Sequence, residues 1–277
     1  MKTGINCWCF PADFNLEQSM KIAQKTGFDG IEINMEEKNK SEEISLNLNS
    51  TDKDIKKIKK KAENLKIEIP SISTSLFWNY SLTDSNKKIR EKAINILKKM
   101  IDAADILDVD TILVVPGVVN ENVSYREAYK RSLRVFQEVE SYAEKKEVNI
   151  GIENVWNKFL LSPLEMNKFI EKIDSPYVGC YFDVGNVLNF SFPEYWIEIL
   201  ADKILKVHVK DFKTGIGNMS GFTHLLQGDV NWPRVIKALK EVDYNDYLTA
   251  ELSPYQHFPE NIADDTVNAL NKIINIK

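Results

Sequence analysis

Cysteine is scarce. The chain has only Cys7, Cys9 and Cys180, an odd number without a CxxC spacing, which argues against both a disulfide framework and a thiolate zinc cluster and leaves buried free thiols as the expectation. No stretch approaches the roughly 18 consecutive apolar residues of a membrane span, and the opening MKTGINCWCFPADF has no apolar core of the signal-peptide kind. A cytoplasmic protein with no membrane partner is expected. There is no excess of positive charge either: 36 Lys and Arg stand against 41 Asp and Glu, a formal charge of −5. Nucleic-acid binding needs a concentrated basic face. The lysine run Lys56, Lys57, Lys59, Lys60 and Lys61 is interleaved with Ile55, Ile58, Ala62 and Leu65 at helical spacing, so it reads as a solvated helix face. GxGxxG and GxxxxGK[ST] are both missing, which removes the usual dinucleotide and P-loop folds.

What is present is a strict alternation. Short runs rich in β-branched residues, apolar throughout, occur at residues 3–9, 30–34, 67–73, 111–116, 149–154, 178–183, 205–210 and 247–252, separated by stretches whose apolar residues recur every three to four positions. Helices are predicted over 16–25, 52–65, 86–107 and 124–145, with later ones beginning at Ser162-Pro163-Leu164-Glu165 and near Pro193, Trp232 and Pro259. The Ser-Pro-Leu-Glu start combines an N-cap serine, proline at the first helical position and glutamate at the third. Eight strands hydrophobic on both faces, each followed by a helix, predict a single (β/α)8 TIM barrel that uses residues 1–277 as one domain. The polar stretch 36–50 is a long excursion after the second strand.

Catalytic groups of such a barrel come from the C-terminal ends of several strands. Those ends carry Glu153 and Asn154 on the fifth strand, Asp183 and then Asn186 on the sixth, His208, Lys210 and Asp211 on the seventh, and Glu251 on the eighth. One carboxylate buried without a partner costs several kcal/mol, and three together add like-charge repulsion. A divalent cation removes the objection. Two Glu, one Asp and one His form a mixed O/N donor set suited to Mn²⁺, with Mg²⁺, Co²⁺ or Zn²⁺ as alternatives. Each has a plainer reading: His208 as a satisfied core histidine, or a strand glutamate such as Glu32 hydrogen-bonding across the barrel rim. The coincidence of four such groups at equivalent strand ends favours one shared site.

The segments GIENVWNKFL, GCYFDVGNVL, KVHVKDF, GDVNWPRVIKALKEVDYND and YLTAEL resemble the xylose isomerase-like barrel superfamily. Within it they are similar to the sugar and sugar-phosphate isomerases and epimerases of the tagatose 3-epimerase and ribulose-5-phosphate 3-epimerase kind. The resemblance runs over essentially the whole chain and implies a metal tetrad at Glu153, Asp183, His208 and Glu251, with Glu153 and Glu251 also serving as the catalytic acid–base pair. It further implies proton transfer on a ketose through an enediolate, a small sugar or sugar phosphate as partner, and an assembly that is often a homo-oligomer.

The chain departs from the tagatose 3-epimerase-like pattern at two places, with Asn186 where that subgroup has histidine and Thr214 where it has arginine. Asn186 can still hold a hydroxyl, and Lys158, Lys210 or Lys213 can replace the lost cation or bind phosphate. Trp8, Phe10, Phe77, Trp78 and Trp156 follow strands at mouth positions, where an aromatic face covers the C–H side of a sugar or packs a lid. His224 and His257 fall in loops near the mouth. Alternatives on the same barrel are a metal-dependent dehydratase, a hydroxypyruvate-type isomerase and a non-catalytic sugar-binding barrel; an abasic-site endonuclease, which needs a multi-zinc cluster, is disfavoured by three histidines in total.

Overall fold

Local capping chemistry sets where most helices start. Asn15 accepts from the Gln18 backbone N–H at 2.8 Å while the Gln18 side chain accepts from Asn15 N–H, also at 2.8 Å, so α1 (Leu16–Thr26) begins with both orphan donors satisfied. It ends at Gly27, whose φ of 93° suits a residue without Cβ. Thr51 caps α2 (Asp52–Leu65), Asn86 caps α4 (Lys87–Leu107), Ser124 caps α5 (Tyr125–Glu144) and Ser162 caps α6 (Pro163–Ile173). Between these lies the short α3 (Leu76–Asn79), and after them come α7 (Val184–Val187), α8 (Pro193–Leu200), α9 (Trp232–Glu241) and α10 (Asn261–Ile274).

The computed structural model describes residues 1–38 and 45–276. Its strands are β1 (Lys2–Asn6), β2 (Gly30–Asn34), β3 (Ile72–Ser73), β4 (Thr111–Val114), β5 (Asn149–Glu153), β6 (Val178–Asp183), β7 (Ile204–Val209), β8 (Asp211–Phe212), β9 (Phe222–Thr223) and β10 (Tyr247–Ala250). Parallel pairing in the order β1-β2-β3-β4-β5-β6-β7-β10 closes the barrel, with β10 returning to β1. This is the predicted (β/α)8 architecture. The exceptions are local. The third strand, predicted over 67–73, has only Ile72 and Ser73 in the ladder plus a single bridge from Glu68 to Gly30, because Pro70 has no N–H to give. The antiparallel pair β8 and β9 is an addition to the mouth that the helix–strand alternation does not announce. Of the excursion expected over 36–50, residues 39–44 lie outside the described residues; its flanks meet in a bridge between Glu36 and Asn47.

The two ends of the barrel differ in kind. At the N-terminal end the nearly buried Lys206 ammonium lies 2.6 Å from Asp246 and 3.1 Å from Asp110, a closed ion cluster that plugs the bottom. Every carboxylate singled out at the strand ends lies at the opposite, C-terminal end. Outside the sheet, α5 and α6 are bonded by aromatic edges: Phe169 meets Tyr129 at 5.3 Å, Phe136 at 6.0 Å and Phe159 at 6.0 Å between ring centroids. This cluster joins the helices that precede and follow β5 in the chain. Phe169 is fully buried, and Phe169→Ala is expected to lower unfolding free energy by about 3–5 kcal/mol in urea denaturation.

Candidate metal centre and active site

Strand register delivers the four expected ligands to one place. Glu153 and Asp183 are the last residues of β5 and β6; Asp183 and Thr249 both pair with His208 across the ladders, and Glu251 follows β10, its N–H donating to Val209 O at 3.2 Å. One ligand atom from each of Glu153, Asp183, His208 and Glu251 lies within 4.8 Å of every other, the one such grouping of potential metal-binding side chains among the described residues. His208 Nδ1 sits 3.4 Å from Glu153 Oε1 and 3.9 Å from Glu251 Oε2.

The donor atoms are arranged for an ion rather than for one another. Glu153 Oε1 and His208 Nδ1 are buried and make no hydrogen bond. Asp183 Oδ1 is spent on the first turn of α7, accepting from Asn186 N–H at 2.8 Å, so Oδ2 alone faces the cluster. Buried lone pairs without donors are costly, and three carboxylates with one imidazole match a divalent cation of intermediate hardness. The residues fit such an ion.

The residue least expected at this centre is Glu32. Rather than lying at the rim, it is fully buried, and it receives the Ser71 hydroxyl at 2.7 Å, the Tyr181 hydroxyl at 2.8 Å and the Asn6 amide. Its Oε2 is 2.7 Å from His208 Nε2. In that contact the imidazole Nε2–H donates to the Glu32 carboxylate and Nδ1 is turned toward Glu153 and Glu251, the carboxylate–histidine pairing that orients metal-binding imidazoles. The signal in the sequence was a glutamate inside the apolar run Ile31-Glu32-Ile33; its partner lies 176 residues away.

Lys210 is the other counter-charge. Its Nζ is 2.8 Å from Asp183 Oδ2 and bonds Glu251 Oε2 as well. The two glutamates respond differently. Burial pushes the Glu153 carboxyl up to about 7, with His208 pulling against it and the Glu251 charge adding to the rise. Burial acts on Glu251 too, but Lys210 and His208 outweigh it and hold that carboxyl below the usual range. Divergent environments of this kind separate acid from base in a carboxylate pair.

A cavity of about 650 Å³ opens above these groups. Of the four clustered side chains only Glu153 and Glu251 form part of its wall; Asp183 and His208 are fully buried and do not line it. Trp8, Trp78 and Trp156 supply aromatic wall, and Asn186, Lys210 and His224 also line it. Asn186 is tied down, donating its amide to Asn154 O at 2.9 Å while its own carbonyl accepts from the Trp156 indole at 2.7 Å. Other expected contacts lie elsewhere. Lys158 is exposed in the loop after β5 and forms no part of the cavity wall, Lys213 and His257 are exposed, and Phe77 is packed in the core. Phe10 lines a neighbouring cleft instead. Thr214 caps a loop through Asp229 at 2.6 Å. All three cysteines are free thiols, Cys9 and Cys180 buried.

GDVNW has a structural explanation. The buried Asp211 accepts from the N–H groups of Val230 at 3.1 Å, Leu226 at 3.0 Å and Phe212 at 2.9 Å and from the Trp232 indole at 3.1 Å. A Cβ on Gly228 would stand 2.3 Å from Asp211 Oδ1, so that position admits only glycine.

Residues 20–273 match the family model described as xylose isomerase-like TIM barrel. The chain belongs to this family. Among its relatives, a putative L-ribulose-5-phosphate 3-epimerase, SgbU, of Haemophilus influenzae is 25% identical over 259 residues, covering 91% of this chain and 88% of that protein. The inosose isomerase of Bacillus velezensis is 25% identical over 262 residues, covering 91% of this chain and 88% of its own. A solved D-tagatose 3-epimerase-like protein superposes with a TM-score of 0.82 at 23% identity over 99% of this chain and 98% of that one, a likeness of fold. No described helix of this xylose isomerase-like barrel is long and apolar enough to cross a membrane.

Glu32→Gln keeps the shape of the buried network but weakens the acceptor for His208. It is expected to raise the Mn²⁺ dissociation constant about 10–100-fold in titration calorimetry, with the circular dichroism of the fold retained.

Proposed function

We infer that this barrel is a divalent-metal-dependent sugar isomerase or epimerase that moves a proton next to a ketose carbonyl. The observation that carries the reading is the division of the ligand set. Glu153 and Glu251 reach the cavity, and they come from β5 and β10, which β6 and β7 separate. They therefore flank His208 Nδ1 from two sides, and a substrate carbon placed above the centre lies between two carboxylates. Asp183 and His208, beneath the wall, serve as fixed ligands.

A hydrogen beside a ketone is too weakly acidic to leave at neutral pH, and a divalent cation held by Glu153, Asp183, His208 and Glu251, with Mn²⁺ the expected metal, supplies carbonyl polarisation and charge for the enediolate. The protein's own groups do the rest. One glutamate carboxylate takes the proton at an oxygen facing the cavity, and the other returns it, to the opposite face of the same carbon for epimerisation or to the neighbouring carbon for isomerisation. Trp8, Trp78 and Trp156 line the cavity and cover the C–H surface of the sugar.

The wall also favours a free sugar over a sugar phosphate. Among the described residues Lys210 is its one lysine or arginine, already engaged by two carboxylates. His224 is the one other basic side chain, and burial lowers its pKa against the opposing charge of Asp265, which disfavours the imidazolium. The similarity to an inosose isomerase fits a polyhydroxylated substrate, while the similarity to a putative L-ribulose-5-phosphate 3-epimerase makes ketose phosphates the necessary comparison. Incubation of Mn²⁺-loaded protein in D₂O with a panel of ketoses, a cyclic inosose and the corresponding ketose phosphates tests this. Deuterium at C3 identifies epimerisation and at C1 or C2 isomerisation, with free sugars turned over faster than phosphates. Glu153→Gln and Glu251→Gln should each lower kcat about 10²–10⁴-fold. Absence of label from every compound would overturn the proton-transfer reading in favour of hydride transfer, dehydration or simple binding.

A further inference from the structure

The Lys210 ammonium occupies the position of a cation. Asp183 has one oxygen free for the cluster, Oδ2, and Lys210 Nζ stands 2.8 Å from it; Glu251 Oε2, the oxygen nearer His208, bonds the same ammonium. An ion shared by the four ligands needs those same two oxygens. The lysine is led there by construction: a Cβ on Gly185 would lie 2.6 Å from Lys210 Cγ and 2.7 Å from its carbonyl oxygen. In the same position the ammonium is 5.3 Å from the centre of the Phe222 ring on the cavity wall, so one side of it faces an aromatic surface within cation–π range.

We propose that Lys210 is a built-in placeholder for the metal. Its ammonium bridges Asp183 and Glu251 and holds the carboxylates together; a divalent cation taking those two oxygens displaces it into the cavity, where it meets a substrate oxygen. Lys210 is thus a positioning residue before metal binding and a substrate contact after it. This rests on the reading that the four ligands bind a divalent ion, and the two are separable by experiment. Two positive charges competing for two oxygens cannot both be held at contact distance, so each weakens the other.

The test uses Mn²⁺ and the full chain. Wild-type protein should bind Mn²⁺ in titration calorimetry, and Asp183→Asn should abolish the heat; failure of that control sinks both the metal reading and the placeholder. With it in place, Lys210→Met and Lys210→Gln should bind Mn²⁺ about tenfold more tightly than wild type, because no competing ammonium reduces the receptive fraction. Their metal-free forms should melt at lower temperature than wild type, and Mn²⁺ should raise their Tm by more. Unchanged or weaker Mn²⁺ affinity in both variants overturns the placeholder while leaving the metal site standing. A measurement on wild type alone guards against variants that fail to fold. Acylation of Lys210, followed by peptide mass spectrometry, should run several-fold faster with Mn²⁺ than without it, while exposed Lys158 and Lys213 react equally in both; no change at Lys210 overturns the proposal.

Discussion

Like-charge crowding is the constraint around which the molecule is arranged. Glu32, Glu153, Asp183 and Glu251 converge at one end of a barrel, the first three buried and the fourth nearly so. Left alone, such a group would push itself apart or take up protons. Two devices answer the repulsion from within the chain. Glu32 is neutralised from behind by His208 and by hydroxyl and amide donors on β1, β6 and the approach to β3. Asp183 and Glu251 are bridged from above by Lys210. Glu153 Oε1 and His208 Nδ1 face one another across 3.4 Å without a hydrogen bond. The four side chains form a donor set that a divalent cation fits.

The same arrangement separates support from reactivity. Groups that hold the centre lie under its floor, and the two glutamates with room to act stand in the cavity wall. The opposite end of the barrel has its own ion cluster, in which the buried Lys206 is held by Asp110 and Asp246. Buried charge thus occurs at both ends, while the C-terminal end is the one that combines clustered carboxylates with a cavity above them.

Much of this was legible in the sequence, for a physical reason. Strands covered on both faces must be apolar, so Glu153, Asp183, His208 and Glu251 stood out as exceptions at equivalent points of four consecutive runs. Glu32 stood out in the same way but could not be assigned, since whether a strand glutamate faces rim or core depends on register. The pairing Asn6 with Glu32 and Asn34 with Ser73 sets it two residues inside the end of β2, facing inward. Lysines are harder still. Lys158 and Lys210 follow strand ends in similar contexts, yet one is exposed at a φ of 59° and the other is threaded past Gly185 into the centre. The difference is backbone geometry, which composition does not encode.

Asp211 directly follows Lys210 and gathers four N–H groups onto one carboxylate. Because three of those donors come from residues 226–232, the chain between Lys213 and Leu225 is a hoop closed at its base. Changes in the length or composition of that hoop are absorbed above the clasp. Selection, or an engineer, can therefore exchange the segment as a cassette to suit a different guest while the clustered carboxylates below keep their places.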